Sequence, residues 1–183
     1  MTTGAGRFAQ ASLIGDSDAS YDNLDLAEQA GEMLARRGVT LVTGGRGGVM
    51  EAAGRGAARA GGLTVGIMPG TDARSANPYC DVVIPTGLGH ARNVLTALAG
   101  DFIVAVGGGA GTLSELCFGW IHGRPIYVLG GSGGWSDRLA GGALDHRTSS
   151  VIVPCNGIEA LEGEVVRFCA AKGLRLRDPG AGS

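Results

Sequence analysis

The chain has 183 residues, of which 35 are glycine, about 19 per cent against roughly 7 per cent in an average protein. Those glycines cluster instead of recurring every third position, which excludes collagen, and 44% hydrophobic against 17% charged residues excludes disorder. A net charge of −2, with fifteen scattered basic residues, leaves no basic footprint for a nucleic-acid polymer.

Along the chain, short β-branched runs alternate with longer helical patterns, and this predicts an α/β fold. Strands are expected at 8–14, 39–43, 64–68, 81–84, 102–106, 125–129 and 150–153. Helices are expected at 24–37, 49–60, 91–99, 112–122 and 158–171, with Gly38 stopping the first. The segment 130–148 is glycine-rich and takes no clear assignment. The expected architecture is a Rossmann-like open parallel sheet of about seven strands with helices on both faces. It forms one domain over 1–183, with a core at about 8–172 and a loose tail at 174–183.

Several chemistries drop out on residue counts. The sole lysine, Lys172, sits near the end of the last expected helix, so neither a P-loop nor a Schiff-base lysine is present. Cys80, Cys117, Cys155 and Cys169 lack CxxC spacing and read as buried free thiols. His90, His122 and His146 are isolated, so no metal site is expected. There is no signal-peptide core and no apolar run near ~20 residues, so a cytoplasmic protein without membrane contact is expected.

Glycine concentrates where expected strands hand over to helices, at 44–48, 107–111 and 130–134. In a parallel sheet all strand C-ends open on one edge, where such sheets bind ligands. None of these loops reads G-x-G-x-x-G, and no acidic residue ends the second strand, which disfavours NAD. The loop Gly108-Gly109-Ala110-Gly111-Thr112 opens a helix, so its N–H groups and the helix dipole suit a phosphate. Gly44, Gly45, Arg46 and Gly47 form a second anion candidate. Arg92 and Glu115 share a crevice if strands four and five are neighbours. Thr112-x-x-Glu115 also reads as a capping box. Asp16 and Ser17, after the first strand, are either ligand contacts or turn residues, and the role of Asn77 is open. The apolar arc of the 112–122 helix is broad enough for a second helix, from this chain's core or from another subunit.

Gly107-Gly108-Gly109-Ala110-Gly111-Thr112-Leu113-Ser114-Glu115 resembles the PGGxGTxxE motif of the Lonely Guy (LOG) family, often mislabelled lysine decarboxylases. Gly44-Gly45-Arg46-Gly47-Gly48-Val49-Met50-Glu51 resembles that family's earlier glycine motif, and Arg92 its upstream arginine, over residues 8–154. The resemblance implies a Rossmann-like fold and a homo-oligomer, usually a homodimer. It also implies cleavage of nucleoside 5′-monophosphates to free base and ribose 5-phosphate, with no required cofactor. Gly107 stands in place of the family's proline, and Asn93 in place of the lysine after the arginine. GGGAGTLSE, GGVMEA and TGLGHARN look closer to a neighbouring branch, the molybdenum cofactor carrier-like proteins, thought to bind a phosphorylated pterin.

The shared expectation is a phosphorylated small molecule at the glycine-lined edge. In the hydrolase reading, Glu115 would stabilise an oxocarbenium-like sugar and help activate water. Arg92 would orient the ribose phosphate and keep Glu115 ionised. In the carrier reading, the same cradle, with Asn93, Asp16 and Ser17 nearby, would hold the molybdenum cofactor as a bound ligand without turnover. A nucleotide-sensing module is the third reading.

Overall fold

The computed structural model describes residues 6–146 and 152–178. Seven parallel strands form one sheet in the order β4-β3-β2-β1-β5-β6-β7. They are β1 (Gln10–Gly15), β2 (Thr40–Thr43), β3 (Thr64–Met68), β4 (Val82–Pro85), β5 (Phe102–Val106), β6 (Ile126–Leu129) and β7 (Val153–Cys155). The helices are α1 (Tyr21–Arg36), α2 (Val49–Arg59), α3 (Asn93–Ala99), α4 (Ala110–Ile121), α5 (Gly134–Leu139) and α6 (Ile158–Lys172). No described helix is long and apolar enough to cross a membrane.

The Rossmann-like expectation holds, and the alternation of β5 shows why. Phe102, Val104 and Val106 enter a core beneath α1, α2 and α6, whereas Ile103 and Ala105 enter a second core with Ala97 of α3 and Leu116 and Trp120 of α4. All five β5 residues are buried, as a central parallel strand covered on both faces requires. α1 and α2 approach so closely that a Cβ on Gly56 would lie 1.9 Å from the Glu28 carbonyl oxygen, and one on Gly31 2.0 Å from that of Ala53. Part of the glycine excess therefore serves helix packing, away from any loop.

Five boundaries depart from expectation. α1 begins at Tyr21, not residue 24, because the Ser20 hydroxyl caps it by accepting the Asn23 N–H. The helix expected at 91–99 splits into a 3₁₀ turn, Gly89–Arg92, followed by α3. The unassigned stretch contains α5, which packs Trp135 and Leu139 on the second core. The strand expected at 150–153 begins on residues outside those described, and β7 runs on to Cys155. Residues 174–178 are no loose tail. Arg175 pairs with Phe8 in a parallel bridge, Leu174 and Leu176 pack on the first core, and Arg177 N–H donates to Arg37 O. Residues 179–183 lie outside the described part.

Candidate functional site

β4 is the sheet edge and β5 pairs with β1, so strands four and five are not neighbours. Arg92 and Glu115 nevertheless meet. The β4–β5 connection carries α3 back across the sheet to pack on α4, and this brings the 3₁₀ turn against that helix. Arg92 Nη1 donates to Glu115 Oε1 and to Thr96 Oγ1, both at 3.0 Å. The point where chain direction across the sheet reverses, between β1 and β5, is where open α/β sheets form their binding crevice. A cavity of about 270 Å³ opens there, lined among others by Asp16, Ser17, Arg46, Arg92, Asn93, Gly109, Thr112 and Glu115.

The start of α4 is open to a ligand. Gly109 caps it without a side-chain bond, and the Leu113 N–H is the first closed within the helix, on Gly109 O at 2.9 Å. The N–H groups of Ala110, Gly111 and Thr112 precede it at the positive end of the dipole. Because α4 begins at Ala110, Thr112 lies inside the helix and the capping-box reading of Thr112 and Glu115 is incorrect.

The glycines upstream are held by the protein itself. Gly108 N–H donates to Asp16 Oδ2 at 2.8 Å, and Gly107 N–H to Ser132 Oγ at 2.8 Å. Gly107 O accepts the Ser136 hydroxyl, and Gly108 O accepts the Trp135 N–H. Gly108 is thus a buttressed turn residue, and its N–H is not free for phosphate. The third glycine loop, with Ser132 and Ser136, braces the second from behind. Asp16 resolves as a turn residue: its carboxylate ties down the 107–109 loop and its carbonyl accepts the Val49 N–H that opens α2.

Of the first glycine loop, only Arg46 lines the cavity. Gly44 is pressed under Arg92, with Arg92 Nη2 2.6 Å from where a Cβ would sit, and Gly45 has φ +68° against Met68. Gly47 stays outside the cleft wall. Asn77 clamps this loop: its backbone N–H donates to Gly45 O and its Nδ2 to Arg46 O, both at 2.9 Å. Arg46 itself is exposed and makes no ion pair among the described residues. Asn93 reaches the cavity wall, but its Nδ2 donates to Ser114 Oγ at 2.7 Å and Gly111 O at 3.3 Å, which joins α3 to α4.

Electrostatically the pair is not a conventional salt bridge. Both side chains are only 8% exposed. Burial pushes the Glu115 carboxyl up to about 7, and the attraction of Arg92 only partly opposes it. Burial likewise lowers the Arg92 guanidinium, with Arg46 adding like-charge repulsion. Desolvation opposes the charged form of both partners, and Arg92 favours the ionised carboxyl without offsetting the whole cost of burying it. The Arg92 Nε is buried without a hydrogen-bond partner, and other atoms of Arg92 line the cavity.

Sequence reading missed Met50 and His90 in the cavity wall. Met50 is the second residue of α2, directly after the glycine loop, a position the loop itself could have signalled. A larger groove of about 540 Å³ lies between α6 and residues 174–178, lined partly by Arg37, Arg175 and Arg177. None of the expected site residues reaches it. Its arginines are engaged, Arg37 with Glu162 and the other two over the Phe8 ring.

The model of the SLOG cluster4 family matches residues 9–159. Among solved structures, that of TM1055 aligns with a TM-score of 0.82 and 31% identity over 87% of this chain and 99% of that one. The molybdenum cofactor binding protein from the phototrophic bacterium Rippkaea orientalis aligns at 0.79 and 31%, over 88% and 98%. The molybdenum cofactor carrier protein from Chlamydomonas reinhardtii aligns at 0.76 and 29%, over 90% and 99%.

Proposed function

The chain belongs to the SLOG cluster4 family, and on that footing we propose that it binds a phosphorylated pterin, the molybdenum cofactor, as a carried ligand in the β1/β5 cleft. The observation that carries this is the donor set at the cleft. The uncapped N–H groups of Ala110, Gly111 and Thr112 stand beside Arg92, whose Nε has no partner, and Arg46, which has no counter-ion among the described residues. A phosphate ester matches these donors in charge and in acceptor number. Likeness to a molybdenum cofactor binding protein and a molybdenum cofactor carrier protein supports the pterin as the group attached to it.

The residues fit that ligand at its phosphate end. Arg92, Arg46 and the start of α4 hold the anion, while the Asp16 carboxylate bars a phosphate from the 107–108 end of the loop. Carrying requires no covalent step, so tight and reversible charge-assisted bonds suffice. The test is extraction of small molecules from protein purified after expression in a cofactor-replete host, read by pterin fluorescence and mass spectrometry. A phosphorylated pterin is expected with the native chain and not with Arg92→Ala. Absence from both, with no binding of added cofactor, overturns the reading.

One observation favours a second reading, a LOG-like phosphoribohydrolase. Glu115 lines the cleft with its carboxyl poised at about 7, the range in which an acid–base group works. Incubation with AMP and cytokinin ribotides should then release free base, and Glu115→Gln should abolish it. Equal release from both proteins would sink this reading.

A further inference from the structure

The groove between α6 and residues 174–178, at about 540 Å³, has the size of a small-molecule site. It lies at the other end of the sheet from the cleft. Two of its arginines stand over Phe8, just before β1, whereas the cleft opens after β1, six residues and about 20 Å further on. One part of its lining is apolar: Val166 and Ala170 from α6, Leu174 and Leu176 from the segment that follows. The other part is charged, with Arg37, Arg175 and Arg177 against the single carboxylate of Asp178.

The guanidiniums of Arg175 and Arg177 lie 4.4 and 5.7 Å from the Phe8 ring centre. A cation–π contact holds a guanidinium in place without neutralising it. Neither forms an ion pair among the described residues, although Arg7 and Arg37, whose carbonyls accept their backbone N–H groups, are paired with Asp101 and Glu162. The Arg177 stem is seated on Gly38, where an added Cβ would stand 2.7 Å from its Cγ. Between the two arginines, the Leu176 N–H has no hydrogen-bond partner among the described residues. We propose that this groove binds a small amphipathic anion, an acyl or aryl body ending in a carboxylate or phosphate. The body lies along Val166, Ala170, Leu174 and Leu176, and the head takes the Arg175 and Arg177 guanidiniums and the Leu176 N–H. An inorganic anion would leave the apolar lining in water, and a neutral hydrocarbon would leave the guanidiniums without an acceptor. The proposal does not rest on the ligand of the cleft.

Isothermal calorimetry on the full chain with octanoate and octyl phosphate reads the outcome. Saturable binding of either head, one molecule per chain, is expected. Octanol and acetate each carry half of the chemistry and should bind at least ~10-fold more weakly. Arg175→Gln combined with Arg177→Gln should weaken octanoate at least ~10-fold, and Ala170→Trp, which fills the groove, should do the same. Arg92→Met, which disables the cleft, should leave octanoate binding unchanged. Circular dichroism melts establish that each variant is folded, and Arg175→Lys with Arg177→Lys supplies a milder change that keeps the charge but loses the planar fork. Absence of saturable binding to the native chain overturns the proposal, as do equal affinity for octanol and binding unaltered in the folded variants. Loss of binding in Arg92→Met assigns the anion to the cleft and overturns it too. So does capture of anionic phosphatidylglycerol vesicles without binding of free octanoate, which would make this end a membrane surface.

Discussion

If burial outweighs Arg92 at Glu115, stability must depend on pH in a defined sense. The carboxyl rises from 4.5 in the open chain to about 7 in the folded one. Between these values the folded state holds the extra proton, so stability falls as pH rises through the window and levels off above it. Below 4.5 both states are protonated and the effect vanishes. A shift of that size corresponds to roughly 3 kcal/mol. Urea unfolding from pH 4 to 9, native chain against Glu115→Gln, isolates the effect, because the amide removes the proton but keeps the shape. The difference between the two curves should grow by roughly 3 kcal/mol against the native chain between pH 5 and 8. Carboxyl carbon NMR of Glu115 should show a midpoint near 7. A flat difference refutes the reasoning. So does a difference of the opposite sign, with the native chain losing stability relative to Glu115→Gln as pH falls from 6 to 4, which would mean that Arg92 attraction dominates and the carboxyl is depressed.

Three further outcomes follow from the same geometry. Arg92→Met should weaken sulfate or phosphate-ester binding by ~10-fold or more, measured calorimetrically, because it removes the buried Nε and Nη donors at the cleft. Asp16→Ala should cost about 1.5–3 kcal/mol in denaturant unfolding, since Gly108 N–H loses a charged acceptor at 2.8 Å; an unchanged midpoint would contradict its turn role. Gly56→Ala should destabilise by about 1–3 kcal/mol through overpacking against Glu28 O, visible as a lowered Tm with native-like circular dichroism.

The site was partly legible before the fold was known. Gly109–Thr112, Arg46, Arg92, Glu115, Asp16, Ser17 and Asn93 do converge on one cleft, because strand-to-helix glycine loops in a parallel sheet all open on one edge. Their individual duties were not legible. Gly108, Gly44 and Gly45 share the composition of Gly109 and Gly111, yet they serve close packing and tight turns, since what a glycine faces depends on its neighbours in space. Asp16 and Asn77 were ambiguous for the same reason: their partners, Gly108 and Arg46, lie 92 and 31 residues away along the chain.

By itself, the sequence determined the local order of things: which runs alternate as strands, which wind as helices, and where bare backbone meets a helix start. Such features depend on neighbours within a few residues, through side-chain periodicity and backbone sterics. Only the tertiary structure decided that β5 pairs with β1 and that Arg92 reaches Glu115 across a crossover. It alone decided that burial lifts a carboxyl touching an arginine. Desolvation is a property of everything packed around a group, and no spacing along the chain records it. The glycine excess divides accordingly into a helix start without a side-chain cap, the turns that brace it, and the close contact of α1 with α2.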